Sequence, residues 1–403
     1  MLAIRPSAHS PIRPFAHPLP CIIPSVNLPE PELITKPDQL EDLADLLRNA
    51  SRIAVDTESN SLHAYREQVC LIQFSIPEGD FLVDPVTLPD IEVLGSVFSS
   101  KDVEKIFHAA EYDLICLKRD FDFRFKNLFD TQIAARILGW PRVGLGNILE
   151  EHFGLSLDKK YQRADWKRRP LPPDMLQYAQ LDTHYLLEMR DRLENLLIEH
   201  SLLELAREDF LRACAVTEIN QNSKNGMCWR VNGSHELTPQ QMAVLQELCV
   251  YRDGIARRLD RPLFKVISDQ ILVEISRHCP FDLNDLGSVN GVHGWLLRKH
   301  GREILAAVSR GLQAEPLDPP RSVRPASSYI ARMDRLHTWR KETARRMGVE
   351  SDVVLPRDLM EAVVRENPRD EQSLASVLDE TPWRLDRFGG SILNLLNVSN
   401  QRV

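Results

Sequence analysis

The order of the predicted elements indicates an α/β domain followed by an all-helical region. From about Pro31 to Leu211, runs rich in β-branched and aromatic residues alternate with runs of helical apolar spacing. After Glu236 only helical spacing is found, and one sequence pattern occurs there twice. Because 403 residues are more than one hydrophobic core usually serves, we expect two or three domains.

The α/β region begins with a helix and continues with strands and further helices. Apolar spacing after a proline predicts a helix over 38–50. Strand-like runs follow at 53–57, 69–76, 80–84 and 105–109. Helical segments are expected at 112–121, 131–139, 146–154 and 173–200. The mixture predicts an α/β sheet covered by helices.

The helical region contains a repeated sequence. The pattern Tyr-Arg-x-x-x-Ala-Arg-Arg that starts at Tyr251 recurs as Trp-Arg-x-x-x-Ala-Arg-Arg from Trp339, 88 positions later. The same offset aligns Val266 with Val354, Ile271 with Leu359, Pro280 with Pro368 and Leu286 with Leu374. The alternative is coincidence between arginine-rich amphipathic helices. We expect two copies of one small helical domain, at 236–315 and 329–398, joined by a Pro-rich linker over 316–328.

The composition is that of an ordinary soluble globular protein, with 43% hydrophobic and 27% charged residues. No run of about 18 apolar residues occurs, so we expect no membrane span. The seven cysteines lack a Cys-x-x-Cys pair, which disfavours a zinc site or disulfide framework and predicts a cytoplasmic protein. The net charge of −8 disfavours a protein that coats nucleic acid but allows a nucleic-acid enzyme. Prolines interrupt residues 1–30, which predict a flexible leader rather than a signal peptide.

Two acids end the first predicted strand after the helix. Side chains alternate along a strand, so Asp56 and Glu58 share one face, with Val55 and Thr57 on the other. Adjacent carboxylates raise each other's pKa, and a bound divalent cation removes that cost. Hard cations such as Mg²⁺ and Mn²⁺ prefer carboxylate oxygens. The alternative is a strand end that emerges into solvent with two solvated acids.

Two further patterns add candidate residues. Asp113 stands at the start of a helix just after a strand, where it could also cap that helix. Tyr178 and Asp182 are four positions apart and therefore lie on one face of a helix. They adjoin a leucine stripe, which is unusual for an acid and a phenol on a plain surface face.

Together these motifs resemble those of the DEDD exonucleases, in their tyrosine-containing branch. The motifs are Asp-x-Glu after a strand, His-Ala-x-x-x-Asp at a helix start and Tyr-x-x-x-Asp on a helix. The stretches CLIQFS, LFDTQIAARILG and LDKKYQRADWKRRPLPPDMLQYAQLDTHYLL are similar to ribonuclease D. This resemblance covers about residues 31–205. The repeats resemble HRDC domains, small nucleic-acid-binding modules, and two of them are more typical of bacterial ribonuclease D than of its exosome-associated relatives.

The resemblance implies a ribonuclease H-like exonuclease domain, a mixed sheet flanked by helices, over 31–212, with a linker over 213–235. It implies two divalent metal ions, Mg²⁺ or Mn²⁺, held by four acids, and a tyrosine that orients the attacking water. In this sequence the metal-binding acids would be Asp56, Glu58, Asp113 and Asp182, and the tyrosine would be Tyr178. Asp56 would bridge both ions.

The implied activity is that of a 3′→5′ exoribonuclease that trims RNA 3′ ends, such as those of tRNA precursors, and releases 5′-mononucleotides. The acids do not distinguish RNA from DNA, so a 3′→5′ DNA exonuclease is one alternative. A non-catalytic scaffold that binds nucleic acid is another, although the intact acids argue against it. The expected partner is RNA with a free 3′ end, with no membrane and no obligate protein partner.

Basic residues supply candidate contacts to nucleic acid. The segment 159–169 has six cations with Tyr161 and Trp166 between them, and cations contact phosphates while aromatic rings stack on bases. The alternative is a solvated loop with Trp166 packed into the helical cover, which we favour for Trp166. The candidate contacts in this segment and in the repeats are Lys159, Lys160, Arg163, Lys167, Arg168, Arg257 and Arg345.

Two residues near the motifs have structural interpretations. His108 ends a strand before Asp113, which suits a positioning or core role better than metal ligation. Asp130 precedes a predicted helix, so we expect it to be the N-cap of that helix.

Overall fold

The computed structural model describes residues 28–156, 159–216, 228–318 and 325–397. The strands are β1 Glu32–Ile34, β2 Arg52–Ser59, β3 Val69–Ile76, β4 Gly79–Val83, β5 Glu104–Phe107 and β6 Leu128–Asp130. The helices of the same region are α1 Pro37–Asn49, α2 Gly95–Ser99, α3 Glu111–Phe121, α4 Thr131–Ile137, α5 Leu145–Phe153, α6 Pro173–His184, α7 Leu186–Glu199 and α8 Leu203–Cys214.

One mixed sheet organises this region, in the order β1-β4-β3-β2-β5-β6. The pairs β2–β3 and β3–β4 are antiparallel, whereas β1–β4, β2–β5 and β5–β6 are parallel. Every residue of β3 is buried, as expected for a central strand covered on both faces. The predicted class, a mixed sheet flanked by helices and followed by an all-helical region, is confirmed.

Two differences from the expected elements have simple causes. The edge strands β1 and β6 have only three residues each, too few for alternation to be recognised in the sequence. The helix expected over 173–200 is two helices, with a break at Tyr185 (φ −92°, ψ −2°). No proline or glycine marks this break. It lets α6 follow β3 and β4 while α7 packs against β2 and β5.

The remaining helices form two similar sets at a constant offset. The first set is α9 Pro239–Leu259, α10 Leu263–Val266, α11 Asp269–His278, α12 Leu283–Ser288 and α13 Gly294–Gln313. The second is α14 Ser327–Met347, α15 Ser351–Val354, α16 Arg357–Glu366, α17 Glu371–Val377 and α18 Pro382–Asn397. Each helix of the second set starts 88 residues after its counterpart.

Individual contacts also repeat at this offset. The guanidinium of Arg252 donates to the carbonyl of Ile267 at 3.0 Å, and that of Arg340 donates to the carbonyl of Leu355 at 2.9 Å. The expected sequence repeat therefore corresponds to a structural repeat, and coincidence is excluded. We call the first set the first repeat and the second set the second repeat.

The first repeat contacts the loop that follows β2. The ring of Tyr65 packs against the core of this repeat. Its hydroxyl donates to Asp253 at 2.6 Å, and its backbone N–H donates to Asp260 at 3.1 Å. The end of α9 therefore holds a loop that belongs to the sheet region.

The second repeat contacts α8 through a buried arginine. Arg384, with 0% exposure, donates to Glu208 and Asp209 at 2.9 Å each. It also donates to the carbonyl oxygens of Val353 and Val354, at 3.0 and 3.3 Å. This side chain therefore joins α8 to two parts of the second repeat.

Some expectations concern residues outside the described ranges and are not tested. Residues 1–27, which make up most of the expected leader, lie outside the described residues. So do residues 217–227 and 319–324 of the two expected linkers. The exact domain boundaries therefore stay predictions. Within the described ranges, no helix has both the length and the apolar character needed to cross a membrane.

Candidate active site

The site begins at the end of β2. Asp56 lies opposite Gln73 of β3, and Glu58 lies opposite Leu71. The register of this pair shifts directly after Glu58, at Ser59. Bulges of this kind re-aim side chains at the end of a strand, and here the shift separates the two acids from the loop that follows.

The third acid approaches from α3. Asp113 lies in the first turn of α3, and the N-cap position of that helix is Ala110, so Asp113 is not the cap. The hydroxyl of Thr57 donates a hydrogen bond to the Asp113 carboxylate. Because Thr57 points to the face of β2 opposite Asp56, α3 reaches the strand end from the other side of the sheet.

The fourth acid and the tyrosine are carried by α6. Tyr178 and Asp182 lie one turn apart on this helix. The helix is fixed on the sheet face of Asp56 by a 2.7 Å hydrogen bond from the hydroxyl of Ser75 to Thr183. Proline at the first position of α6 and a preceding proline start the helix at a defined point.

The four carboxylates influence one another electrostatically. Burial, together with the negative charges of Asp113, Asp182 and Glu58, raises the pKa of the Asp56 carboxyl well above its usual range. Burial and the charges of Asp182 and Asp113 also raise the pKa of Glu58. Burial raises the pKa of Asp113 to about 7, against the opposing hydrogen bond from Thr57. Burial and the charge of Asp113 raise the pKa of Asp182 to about 7.

These acids fit a divalent cation by their chemistry. As the side chains stand, no group of three or more His, Cys, Asp or Glu residues in the described part of the chain has the geometry to hold a metal ion. The clustered carboxylates nevertheless disfavour their own ionised forms, and a hard cation with oxygen preference relieves such a cluster. Metal binding therefore requires the carboxylates to turn toward one another and stays a prediction.

A cavity of about 200 Å³ opens beside Glu58. Its walls come from the end of β2, the loop after it, α3 and the basic segment, and the lining residues are Thr57, Glu58, Ser59, Ser61, Leu62, Tyr112, Gln162 and Ala164. Residues 59–62 received no role from the sequence, because nothing in a loop sequence shows which side chains will face a cavity. A larger cleft of about 1030 Å³ is lined by α3, α4, α8 and the second repeat and contains none of the five candidate residues.

The phenol of Tyr178 lies close to the side chain of Gln162. Burial and the charges of Asp182, Glu58 and Asp56 raise the pKa of this phenol far above its usual range. The ring lies 5.9 Å from that of Tyr161 and 6.1 Å from that of Trp166. The phenol is therefore protonated at neutral pH and fixed on two sides.

The basic segment 159–169 forms part of the site wall rather than a free loop. Trp166 is 1% exposed, as the structural interpretation expected. Lys160 lies 4.7 Å over the Tyr161 ring, and Lys167 lies 3.9 Å from Asp260 of the first repeat. Lys159, Arg163 and Arg168 are exposed. Contact of these cations with nucleic acid stays a prediction.

The two arginines of the repeats differ in their surroundings. Arg257 is paired with Asp253 at 3.5 Å and lies 5.6 Å over the ring of Tyr65. Arg345, its counterpart in the second repeat, is exposed and has no ion pair among the described residues. Arg257 thus belongs to the contact between the first repeat and the β2 loop, which the sequence repeat did not indicate.

His108 and Asp130 have the structural roles expected. His108 bonds through Nδ1 to the hydroxyl of Thr131 at 2.9 Å, and burial lowers its pKa. Asp130 caps α4 by accepting from the N–H groups of Gln132 and Ile133. The same carboxylate accepts from the N–H groups of Ala109 and Ala110 at 3.1 and 2.8 Å. Asp130 therefore shapes the turn that leads into α3 and Asp113.

Family models match the sheet region and both repeats. Residues 31–198 match the 3′-5′ exonuclease family. Residues 241–308 and 330–396 each match the HRDC domain. The fold, the acid cluster and these matches define the class: a 3′-5′ exonuclease domain followed by two HRDC domains.

Curated relatives and solved structures define the family more closely. The exosome complex exonuclease RRP6 of Saccharomyces cerevisiae is 34% identical over 270 residues, which cover 63% of this chain and 37% of RRP6. The crystal structure of the catalytic core of RRP6 from Trypanosoma brucei is 30% identical, with a TM-score of 0.63, and the match covers 72% of this chain and 82% of that one. RNase D of Escherichia coli is 25% identical, with a TM-score of 0.68, and the match covers 92% of this chain and 100% of that one.

The chain belongs to the family of 3′-5′ exoribonucleases that includes RRP6 and RNase D. Members of this family are hydrolases that generally use divalent metal ions. The chain spans 37% of the length of the yeast relative and 29% of that of the human exosome complex component 10. The activity, substrates and partners of this chain are therefore proposals.

Proposed function

We propose that this protein is a metal-dependent 3′→5′ exoribonuclease that releases 5′-mononucleotides. The observation that carries the proposal is the convergence of four carboxylates, from β2, α3 and α6, on one strand end. Their raised pKa values support it, because the charges of Asp113, Asp182 and Glu58 all act on Asp56. The cavity beside Glu58 offers an entry for one chain end to this cluster.

The acids would hold two divalent ions, Mg²⁺ or Mn²⁺. The residues are Asp56, Glu58, Asp113 and Asp182, with Asp56 shared between the ions. When bound, such ions stabilise the charge that develops on the attacking and leaving oxygens and lower the pKa of the attacking water. The chain contributes the placement of the acids on two helices and one strand, which keeps them together despite their repulsion.

Tyr178 would orient the attacking water. Its raised pKa keeps the phenol protonated, so it does not act as a strong base. The rings of Tyr161 and Trp166, both in the basic segment, pack beside the Tyr178 ring and hold it in place.

We propose RNA with a free 3′ end as the substrate, tRNA precursors among the candidates. Support comes from RNase D of Escherichia coli, which is described as an exoribonuclease involved in structured RNA processing. The yeast relative is named as an exonuclease of the exosome complex. For this chain we propose action without an obligate protein partner and in the cytoplasm.

A cleavage assay on a single-stranded oligonucleotide tests the activity. RNA labelled at its 5′ end is incubated with Mg²⁺ or Mn²⁺, and then with excess chelator. We expect a ladder that shortens from the 3′ end and stops with chelator, and no ladder from the same RNA with a blocked 3′ end. No ladder with either metal would instead favour a scaffold that binds nucleic acid. DNA of the same sequence, degraded faster than RNA, would favour a DNA exonuclease.

A variant at the first acid tests the site. Asp56→Asn should abolish hydrolysis and leave folding intact, because the amide keeps the shape of the side chain but loses the charge. Glu111→Gln is the matched control, since this exposed acid lies two residues before Asp113 in α3. Near-normal activity of purified Asp56→Asn would show that the acids have been assigned wrongly.

A further inference from the structure

One buried polar side chain next to the acids has no partner in the structure. Gln73, in the middle of β3, is 0% exposed. Neither its amide nitrogen nor its amide oxygen makes a hydrogen bond to any described residue. An unpaired buried amide is costly, and almost all such groups in folded proteins have a partner. The neighbours of Gln73 should therefore show why an unpaired amide is buried at this position.

The sheet register places Gln73 beside the first acid. Gln73 of β3 lies directly opposite Asp56 of β2. Side chains directly opposite on an antiparallel pair are on the same face, with their Cβ atoms about 4.5–5.5 Å apart. On its other side Gln73 lies opposite Leu82 of β4, which offers no polar group. Asp56 is thus the polar neighbour of Gln73 across the sheet.

The neighbours of Gln73 along β3 offer no alternative partner. Gln73 is flanked along β3 by Leu71 and Ser75, which point to the same face. The hydroxyl of Ser75 is engaged with Thr183 of α6. Leu71 packs in an apolar cluster with Ala179 of the same helix. The amide of Gln73 is therefore enclosed between apolar groups and the acid cluster.

We propose that Gln73 is a positioning residue for Asp56: in the metal-loaded enzyme its amide N–H donates to the Asp56 carboxylate and fixes the direction of that carboxylate. The inference rests on the proposed function. An amide donor stabilises the ionised carboxylate that a metal requires, and Gln73 carries no charge that would compete with the metal. The inference requires a different rotamer of Gln73, because its amide makes no hydrogen bond in the described structure.

The test replaces the amide by an apolar side chain of similar length. Gln73→Met and the wild type are compared by thermal unfolding without RNA, over a series of Mn²⁺ and Mg²⁺ concentrations. We expect the metal concentration at the midpoint of the stabilisation to rise by about 10- to 100-fold, the typical effect of losing a residue that orients a metal ligand. In chelator the variant should unfold at the same or a higher temperature, because it buries no unpaired amide.

Kinetics and a control variant separate positioning from a structural role. We expect kcat of Gln73→Met at a fixed metal concentration to fall, with KM for RNA unchanged. Ser276→Ala removes a buried hydrogen bond within the first repeat, from the hydroxyl to the carbonyl of Leu272 at 2.8 Å, and should lower the unfolding temperature with an unchanged metal midpoint. If Gln73→Met does not fold, Gln73→Asn is used, whose shorter amide should also raise the midpoint.

The outcomes distinguish this inference from the proposed function. A wild type that is neither stabilised by metal nor active on RNA overturns both. A wild type that is active, together with Gln73 variants whose metal midpoint is unchanged, overturns the role of Gln73 alone. A Gln73→Met variant that loses stability in chelator to the same extent as Ser276→Ala, with no change in metal response, shows that the amide has only a structural role.

Discussion

At the scale of single residues, the acids of the site oppose the stability of the metal-free protein. Burial raises the pKa of Asp182 to about 7, whereas an aspartate in an unfolded chain has a pKa of about 3.9. A carboxyl with a raised pKa in the folded state stabilises that state at low pH, and this contribution is lost as the pH rises through the folded pKa. Without metal, the site therefore lowers the stability of the folded protein most at neutral pH, where the acids are ionised.

A pH series tests this consequence. In chelator, the free energy of unfolding of the wild type minus that of Asp182→Asn should fall as the pH rises from about 4 to about 7, the interval between the unfolded and folded pKa values. The asparagine side chain does not titrate, so the variant removes this contribution at all pH values. Urea unfolding at several pH values measures the difference. Parallel pH profiles for the two proteins would contradict the raised pKa.

The tyrosine gives a second prediction at this scale. Tyr178→Phe should remain active and lose less than about 10²-fold in rate, since removal of a true general base typically costs about 10²–10⁴-fold. The shape of the pH–rate profile should not change, because the phenol stays protonated. Single-turnover rates measure both. Tyr161→Phe, whose hydroxyl makes only a 3.5 Å contact with Asp174, is the matched control.

Spacing alone predicted which residues share a face in this site. The alternation of a strand accounts for Asp56 and Glu58, and the helical repeat accounts for Tyr178 and Asp182. The partners of these residues could not be predicted in the same way. The Thr57–Asp113 hydrogen bond and the Tyr161–Tyr178 ring contact depend on how α3 and the basic segment approach the sheet. The expected split of β2 side chains into two faces did indicate that Thr57 points away from Asp56.

At the scale of elements, the turn between β5 and α3 depends on one buried carboxylate. Asp130 is 1% exposed and accepts hydrogen bonds from four backbone N–H groups, two at the start of α4 and two before α3. Ala109, in the same turn, has a positive φ of 63°, which is unfavourable for a residue with a Cβ atom. The carboxylate holds this turn and thereby the position of Asp113.

Removing that carboxylate should loosen both helices. Asp130→Ala leaves buried N–H groups without partners, so we expect local stability to fall by at least about 2 kcal/mol, which corresponds to backbone hydrogen exchange in α4 that is faster by about 30-fold. Asp282→Ala is the control, because Asp282 caps α12 through a single N–H group. An Asp130→Ala protein with unchanged exchange in α4 would show that the turn is held by other contacts.

The element boundaries show where sequence patterns suffice. The helix expected at 38–50 is found at Pro37–Asn49, because a proline start and an amphipathic face are local features. The break at Tyr185 has no local signal. It arises where His184 bonds to Asp80 at 2.8 Å and Tyr185 packs near Phe153, contacts between distant parts of the chain.

At the scale of the whole molecule, the second repeat is held to α8 by a buried ion pair. Glu208→Ala would leave the buried charge of Arg384 with Asp209 as its remaining carboxylate partner. Breaking one partner of a buried pair costs about 3–5 kcal/mol, and with Asp209 present we expect the lower end. The second repeat should become more sensitive to limited proteolysis.

The control for this prediction is an exposed pair in the same repeat. Arg357 is paired with Glu361 at 2.7 Å one turn away on α16. Arg357→Ala should leave stability almost unchanged, since exposed helical pairs contribute little. Equal proteolysis of the two variants would show that Glu208 does not anchor the repeat.

The contact of Tyr65 with α9 has a consequence for the synthesis of the protein. Tyr65 and Asp253 are 188 residues apart in the chain. At translation rates of about 5–20 residues per second, the loop beside Glu58 waits on the order of 10–40 s for its partner on the first repeat. A nascent chain therefore has all four acids, Tyr178 and the complete sheet before the wall of its cavity is fixed. Synthesis of α9 is the step that supplies the partner of this loop.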